Sequence, residues 1–212
     1  RQRQMCIRDS NYIELPDEDG LFELRDVPHG TLTQEFYKSK ISDNWEKLIV
    51  YLPPCVPSAG LPVLYLQHGF GESEISWSTT GKVNILMDNL IAAGKIKPFA
   101  IVMGNGMVKQ RIDGKLKLNR ALYGQMLVEE ILPMLEKKYQ FGGSKEKRGM
   151  AGLSMGSVQT TRIICEHPEL FSEVGIFSGF LRDRIVGDEE HDGIVPKLSL
   201  IHISEPTRLR RI

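Results

Sequence analysis

Gly152-Leu153-Ser154-Met155-Gly156 is the segment of this 212-residue chain best suited to covalent chemistry. Arg148-Gly149-Met150-Ala151 before it reads as the end of a strand, and Ser157 to Glu166 after it as a helix. A serine on a sharp turn between strand and helix is lifted above the sheet in a strained conformation, the arrangement known as a nucleophile elbow. Side chains two positions before and after would collide there, so Gly152 and Gly156 suit the turn. A serine hydroxyl is a weak nucleophile until a base takes its proton, and the tetrahedral intermediate needs donors for its oxyanion. The N–H of Met155 follows the nucleophile and opens a helix, so it points toward developing negative charge. A second donor belongs on the loop after an earlier strand. Gln67-His68-Gly69-Phe70-Gly71 occupies that place, and the Phe70 N–H is assigned the role.

The remaining members of such a site are the base and the acid that orients it. In α/β-hydrolases they follow the serine in the order Asp or Glu, then His. His68 lies upstream and is expected to orient the oxyanion loop. His167, before Pro168, reads as a helix-end residue. His191 sits in the charged run Asp188-Glu189-Glu190-His191-Asp192-Gly193, which reads as a solvated loop, and Asp183, Asp188 and Asp192 are weak acids for the role. The acid and base are therefore expected beyond the sequence given.

The elements that must position these groups follow from apolar patterning. Leu21 to Val27 alternates apolar and charged residues, as a half-buried strand does, and Thr31 to Ser39 and Trp45 to Leu52 are further strands. Leu61 to Gln67 and Phe99 to Met103 are nearly continuous apolar runs, expected for strands covered on both faces. Val83 to Ala93 has helical spacing, ended by Gly94; Leu118 to Tyr139 is the longest helical stretch, with Pro133 as a possible kink. Val174 to Ser178 is a strand after the elbow helix. Strands first, then strand–helix alternation, predict the α/β class: antiparallel N-terminal strands feeding a mostly parallel, doubly covered sheet.

Both chain ends read as foreign to this fold. Gln4-Met5-Cys6-Ile7-Arg8-Asp9, written in one set of codons and reverse-complemented one frame over, translates as Leu198-Ser199-Leu200-Ile201-His202-Ile203. Inverted copies at two ends resemble sequencing-adapter repeats, so residues 1–10 and 198–212 are set aside and residues 11–197 are expected to form a partial domain, truncated at the C-terminal side. This removes six arginines and two acids, leaving 21 basic and 25 acidic residues. No basic stripe for nucleic acid then remains. Cys55 and Cys165 have no metal-ligand spacing, and no apolar run is long enough to cross a membrane. Compartment stays open: secreted or periplasmic if a signal peptide preceded Asn11, otherwise cytoplasmic.

Six short motifs in order resemble the esterase D-like (Putative esterase) family, whose members include the family 1 carbohydrate esterases, enterochelin esterases and mycolyltransferases. They are Tyr65 to Glu72 with Trp77 after it, Ile101 to Gly106, Glu130 to Glu136, Ala151 to Gly156, His167 to Phe171, and Phe177-Ser178-Gly179. The resemblance implies an α/β-hydrolase fold, Ser154 as nucleophile, and Phe70 and Met155 as oxyanion-hole donors. It places Trp77 and Asn105 near the acyl pocket. It implies no metal or organic cofactor and a carbohydrate or small-molecule ester as substrate, feruloyl or acetyl xylan being the expected type. Acyl transfer or siderophore-lactone hydrolysis on the same machinery, or a non-catalytic binding module, are the alternatives. No residue here matches the family's acid or histidine, so the segment itself is expected to be almost inactive. The edge of Val174 to Ser178 is expected to be open to aggregation.

Overall fold

Four consecutive residues, Leu48 to Tyr51, are all buried. Side chains alternate between the faces of a strand, so such a run needs cover on both sides. The computed structural model, which describes residues 19–179 and the backbone of 199–203, provides it. The strands are β1 (Thr31–Ser39), β2 (Asn44–Leu52), β3 (Val63–Gln67), β4 (Ala100–Gly104), β5 (Lys109–Ile112), β6 (Lys115–Leu118), β7 (Arg148–Leu153), β8 (Glu173–Phe177) and β9 (Ser199–Ile203). Seven of them form one sheet in the order β1-β2-β4-β3-β7-β8-β9, and β5 and β6 form a separate hairpin. β1 with β2 and β2 with β4 are antiparallel; every pair from β4 through β3, β7 and β8 to β9 is parallel. The antiparallel opening and parallel body match the sequence expectation.

The helices are α1 (Ser76–Thr79), α2 (Val83–Ala92), α3 (Leu122–Met126), α4 (Leu132–Tyr139) and α5 (Met155–Glu166). One face of the sheet buries Leu48, Val50, Tyr65 and Val102 against Tyr123, Leu127 and Leu135 of the α3–α4 region and Ile163 of α5. The other buries Ile49, Tyr51, Ile101 and Met103 against Met87 of α2.

Four expectations need correction. Leu21–Val27 is not a strand: its carbonyls are taken by a side chain, with Asn89 Nδ2 donating to Leu21 O (2.8 Å) and Glu23 O (2.9 Å). The stretch Leu118–Tyr139 is not one helix. Leu118 ends β6, and a π-helical turn, Leu127–Ile131, separates α3 from α4. Pro133 explains the turn, because it lacks an N–H and its ring would strike the carbonyl four residues back in a continued α-helix. It sits instead in the first turn of α4, where no donor is needed. The hairpin was not foreseen; Asp113 and Gly114 turn it with φ of 51° and 74°. Finally, β8 has a neighbour, since Ser199–Ile203 pair with it from Glu173↔Ser199 to Phe177↔Ile203. Backbone pairing asks only for an extended run, and Leu200-Ile201-His202-Ile203 has the β-branched content for one. Residues 1–10, Asp183, Asp188, His191, Asp192 and 204–212 lie outside the described residues.

Candidate active site

The end of β7 is fixed from both sides. Gly152 pairs with Gln67 of β3, and Leu153 with Phe177 of β8. The next residue, Ser154, has φ 51° and ψ −109°, a backbone region that side chains other than glycine's avoid. Holding it there costs about 1–3 kcal/mol, which the flanking structure must offset. Its amide donates to Phe177 O (3.0 Å), and its carbonyl accepts from the Ser157 hydroxyl (2.6 Å) and the Ser157 amide (3.0 Å). The glycines have the predicted reason. A Cβ on Gly152 would collide with the Gly156 carbonyl, and one on Gly156 would lie 2.7 Å from His68 O and 2.8 Å from Gln67 O. Ser154 Oγ makes no capping bond to α5 and is exposed. It is free to react.

The loop Gln67–Gly71, expected from sequence to hold the oxyanion, is held by its own side chains and that of Glu72. His68 is 1% exposed. The Gly106 amide is a donor, so His68 Nε2 accepts from it (3.0 Å), and Nδ1 therefore carries the proton given to Gly69 O (2.8 Å). Glu72 accepts from the Gly69 amide at 2.7 Å. Gln67 Nε2 donates to the buried Tyr123 hydroxyl, whose pKa burial pushes well above the usual tyrosine value, so that the group stays protonated. Phe70 follows, with its ring under the Arg120 guanidinium, 5.2 Å from the ring centroid. Its amide enters no hydrogen bond among the described residues. The role expected of His68, orienting this loop, agrees with these contacts.

Ser154, Met155 and Phe70 line one cavity of about 630 Å³, within the range of small-molecule sites. Its other walls include Leu118, Arg120, Val158, Gln159 and Ser178. Gln159 Nε2 donates to Gly106 O (3.0 Å) and ties α5 to the loop after β4. Trp77 and Asn105 do not line this cavity. Trp77 packs edge-on to Phe177 and gives its indole N–H to Gln67 O (3.0 Å), so it supports the oxyanion loop from beneath. Asn105 is spent on Glu74 (3.1 Å) and the Met107 amide (2.9 Å) and lines a different hollow. Sequence reasoning missed Arg120 and Gln159. Arg120 follows a hairpin that the sequence reading did not find, and Gln159 sits on a helix whose inward face depends on the crossing over β3 and β7.

A serine held at φ 51°, lining one cavity with two amides that make no hydrogen bond among the described residues, has the geometry of a nucleophile elbow. The model of the Esterase family (Putative esterase) matches residues 39–198. The chain belongs to this family. The fold agrees: a family 1 (CE1) ferulic acid esterase from Anaeromyces mucronatus, solved with ferulic acid, superposes with a TM-score of 0.69 at 22% identity, covering 77% of this chain and 63% of that one. A feruloyl esterase module from Clostridium thermocellum, solved with sinapinate, gives a TM-score of 0.72 at 18% identity, covering 89% of this chain and 71% of that one. These neighbours share the α/β-hydrolase fold. Among curated proteins, an endo-1,4-β-xylanase/feruloyl esterase of Xylanibacter ruminicola is 38% identical over 176 residues, 79% of this chain. The chain spans 24% of that relative's length. The stretch from β2 through Ser178, which holds every residue lining the Ser154 cavity, falls within the family match.

Proposed function

We propose that this chain carries the nucleophile of a serine carboxylester hydrolase acting on carbohydrate esters of the feruloyl or acetyl xylan type. The observation that carries the reading is the backbone of Ser154: φ 51° on a serine, walled by two glycines that admit no Cβ. A binding module has no need of a strained residue with a free hydroxyl. In the reaction, Ser154 Oγ attacks the ester carbonyl, and its proton passes to a base and then to the leaving alcohol. The Met155 and Phe70 amides take the charge on the carbonyl oxygen, and water then cleaves the acyl-enzyme. A hydroxycinnamoyl ester is supported by the xylanase/feruloyl esterase relative and by the ferulate and sinapinate bound to the two structural neighbours.

None of the three histidines among residues 19–179 is placed to serve as the base. His29 contacts Asp88 (3.0 Å) and Arg25 O (3.1 Å), and His68 is committed to Gly69 and Gly106. His167 closes the far end of α5, roughly 20 Å from Ser154 at the usual helical rise. Left with donors and binding alone, a triad enzyme retains about 10³–10⁴ over water. A fluorophosphonate probe tests the assignment. It should label Ser154 slowly in this chain and rapidly once a gene extended past the segment supplies an acid and a histidine. Labelling that survives Ser154→Ala would overturn the assignment, as would an extended protein inert toward methyl ferulate and aryl acetates.

A further inference from the structure

Away from the Ser154 cavity, Phe36 and Trp45 leave 63% and 67% of their surfaces to solvent. Among the described residues, β1 is an outer strand of the sheet. The β1–β2 register sets Phe36 opposite Lys47 and Lys38 opposite Trp45, so these rings and cations stand on one face. Phe36, Trp45 and Lys47, with Asn44, Asn105 and Lys109, border a hollow of about 230 Å³. Lys109 opens the β5–β6 hairpin, and its cross-strand partner, Leu118, lines the Ser154 cavity. One residue pair thus joins the two hollows.

The hairpin concentrates charge. Residues 109–120 hold five cations (Lys109, Arg111, Lys115, Lys117, Arg120) and one acid (Asp113), in a chain whose basic and acidic residues balance at 27 each. None of the five is ion-paired among the described residues. Lys38 and Lys47, by contrast, are matched by Asp43 (3.0 Å) and the buried Glu74 (2.7 Å). Glu46 is the acid that borders the hollow, and its carboxylate is turned to the Ser42 hydroxyl (2.9 Å). Flat apolar rings beside amide and ammonium donors suit the faces and hydroxyls of pyranose rings. Unpaired ammonium groups suit carboxylates.

We propose that this hollow and the cationic hairpin form a binding track for an acidic polysaccharide, a pyranose chain carrying uronic-acid carboxylates. Sugar rings lie on Trp45 and Phe36, and the carboxylates lie along Lys109 and Arg111, which share the hairpin face of Leu118. The track rests on the ester-hydrolase reading only in that a chain lying on it brings an ester side group past Leu118 to Ser154. Continuity with that cavity is what favours a glycan over a nucleic acid for the same cations.

Affinity electrophoresis in native gels tests it without turnover. Glucuronoxylan should retard the chain strongly, and neutral arabinoxylan weakly. Trp45→Ala should weaken binding to both by about fivefold, the loss expected for one aromatic contact. Lys109→Glu with Arg111→Glu should remove the preference for glucuronoxylan, whereas Lys115→Glu with Lys117→Glu, on the opposite hairpin face, should leave most of it; raising ionic strength from about 0.01 M to about 0.15 M should remove it too. These side chains are exposed, and unchanged thermal melts would confirm folding. No retardation by glucuronoxylan, equal retardation by arabinoxylan, no effect of Trp45→Ala, or competition by a short DNA duplex as strong as by glucuronoxylan would each overturn the proposal. Binding with no ester hydrolysis in the extended protein would overturn the Ser154 assignment and leave the track standing.

Discussion

Replacing Ser154 by glycine should stabilise the protein relative to replacing it by alanine. Both substitutions remove the proposed nucleophile, and neither costs a buried hydrogen bond, because Oγ is exposed and makes no capping contact. They differ in what the backbone tolerates. At φ 51° and ψ −109° an alanine keeps the steric penalty of roughly 1–3 kcal/mol, whereas glycine is relieved of it. Against this stands the greater freedom of glycine in the unfolded chain, about 0.5–1 kcal/mol. The net expectation is Ser154→Gly above Ser154→Ala by about 0.5–2 kcal/mol in urea unfolding. Arg162, exposed in the interior of α5, is the control, since both variants lose its pair with Glu166 alike. There the order must invert, with glycine below alanine by about 1 kcal/mol. If glycine is less stable than alanine at both positions, Ser154 is in ordinary helical backbone, and the argument for a nucleophile elbow fails with it.

Further outcomes follow from other parts of the site and frame. Gly156→Ala should abolish probe labelling and lower stability, since its methyl would press on the His68 and Gln67 carbonyls and overpacking of this kind costs about 1–3 kcal/mol or more; a variant that labels at the parent rate would show that α5 does not need this close approach. His68→Ala strands the Gly106 amide and removes one of two donors to Gly69 O, an expected loss of about 2–4 kcal/mol in urea, while His68→Gln should recover part of it by restoring an acceptor for Gly106. Equal losses would mean that the imidazole only fills space. Glu35 is partly desolvated, which raises its carboxyl, but Lys138 and the Tyr139 hydroxyl outweigh this and hold it below the usual value, while burial and Glu35 push Tyr139 up to about 12. The contribution of Glu35 to stability is therefore present above the ordinary carboxylate range and lost as pH falls through its lower folded value; that of Tyr139 is complete below the ordinary tyrosine value and lost as pH rises toward about 12. Unfolding free energies measured against pH should flatten at the acid end in Glu35→Gln and at the alkaline end in Tyr139→Phe, and unchanged slopes would refute the coupling.

The parts legible from sequence were those set by steric necessity. Gly152 and Gly156 could be assigned because no other residue fits an elbow, and β3 and β4 because Val63 to Gln67 and Ala100 to Gly104 offer almost nothing polar for water to hold. The errors came where one local pattern has two structural outcomes. Leu21–Val27 alternates like a strand, yet its carbonyls bond to Asn89, a residue 66 to 68 positions away. Asp113-Gly114 is a strong hairpin signal and Lys115 to Leu118 alternates, but Lys109 to Ile112 has a single apolar residue and both strands lie on the surface, so no buried face marked the pair. Trp77 and Asn105 were placed near the acyl pocket because they follow the right strands; which way a loop side chain turns depends on backbone angles that composition does not encode.

Those last two residues gain a different meaning in the fold. Lys47 pairs with Glu74, Glu74 accepts from Asn105, the next amide along, Gly106, donates to His68, and His68 donates to Gly69 beside Phe70. Asn105 therefore stands midway on an uninterrupted polar line from the aromatic hollow at the sheet edge to the oxyanion loop, with Trp77 bracing the same loop through Gln67 O. A buried carboxylate such as Glu74 is costly unless charge and hydrogen bonds meet it, and here Lys47 and Asn105 do so together. Glu74→Gln keeps the shape and removes the charge. It should free Lys47 and loosen the Asn105 turn, so that probe labelling of Ser154 slows although residue 74 does not line the Ser154 cavity. Labelling at the parent rate, with Lys47 released as judged by faster acetylation of its amine, would show that the line ends at Glu74 and that the oxyanion loop is held by His68 and Glu72 alone.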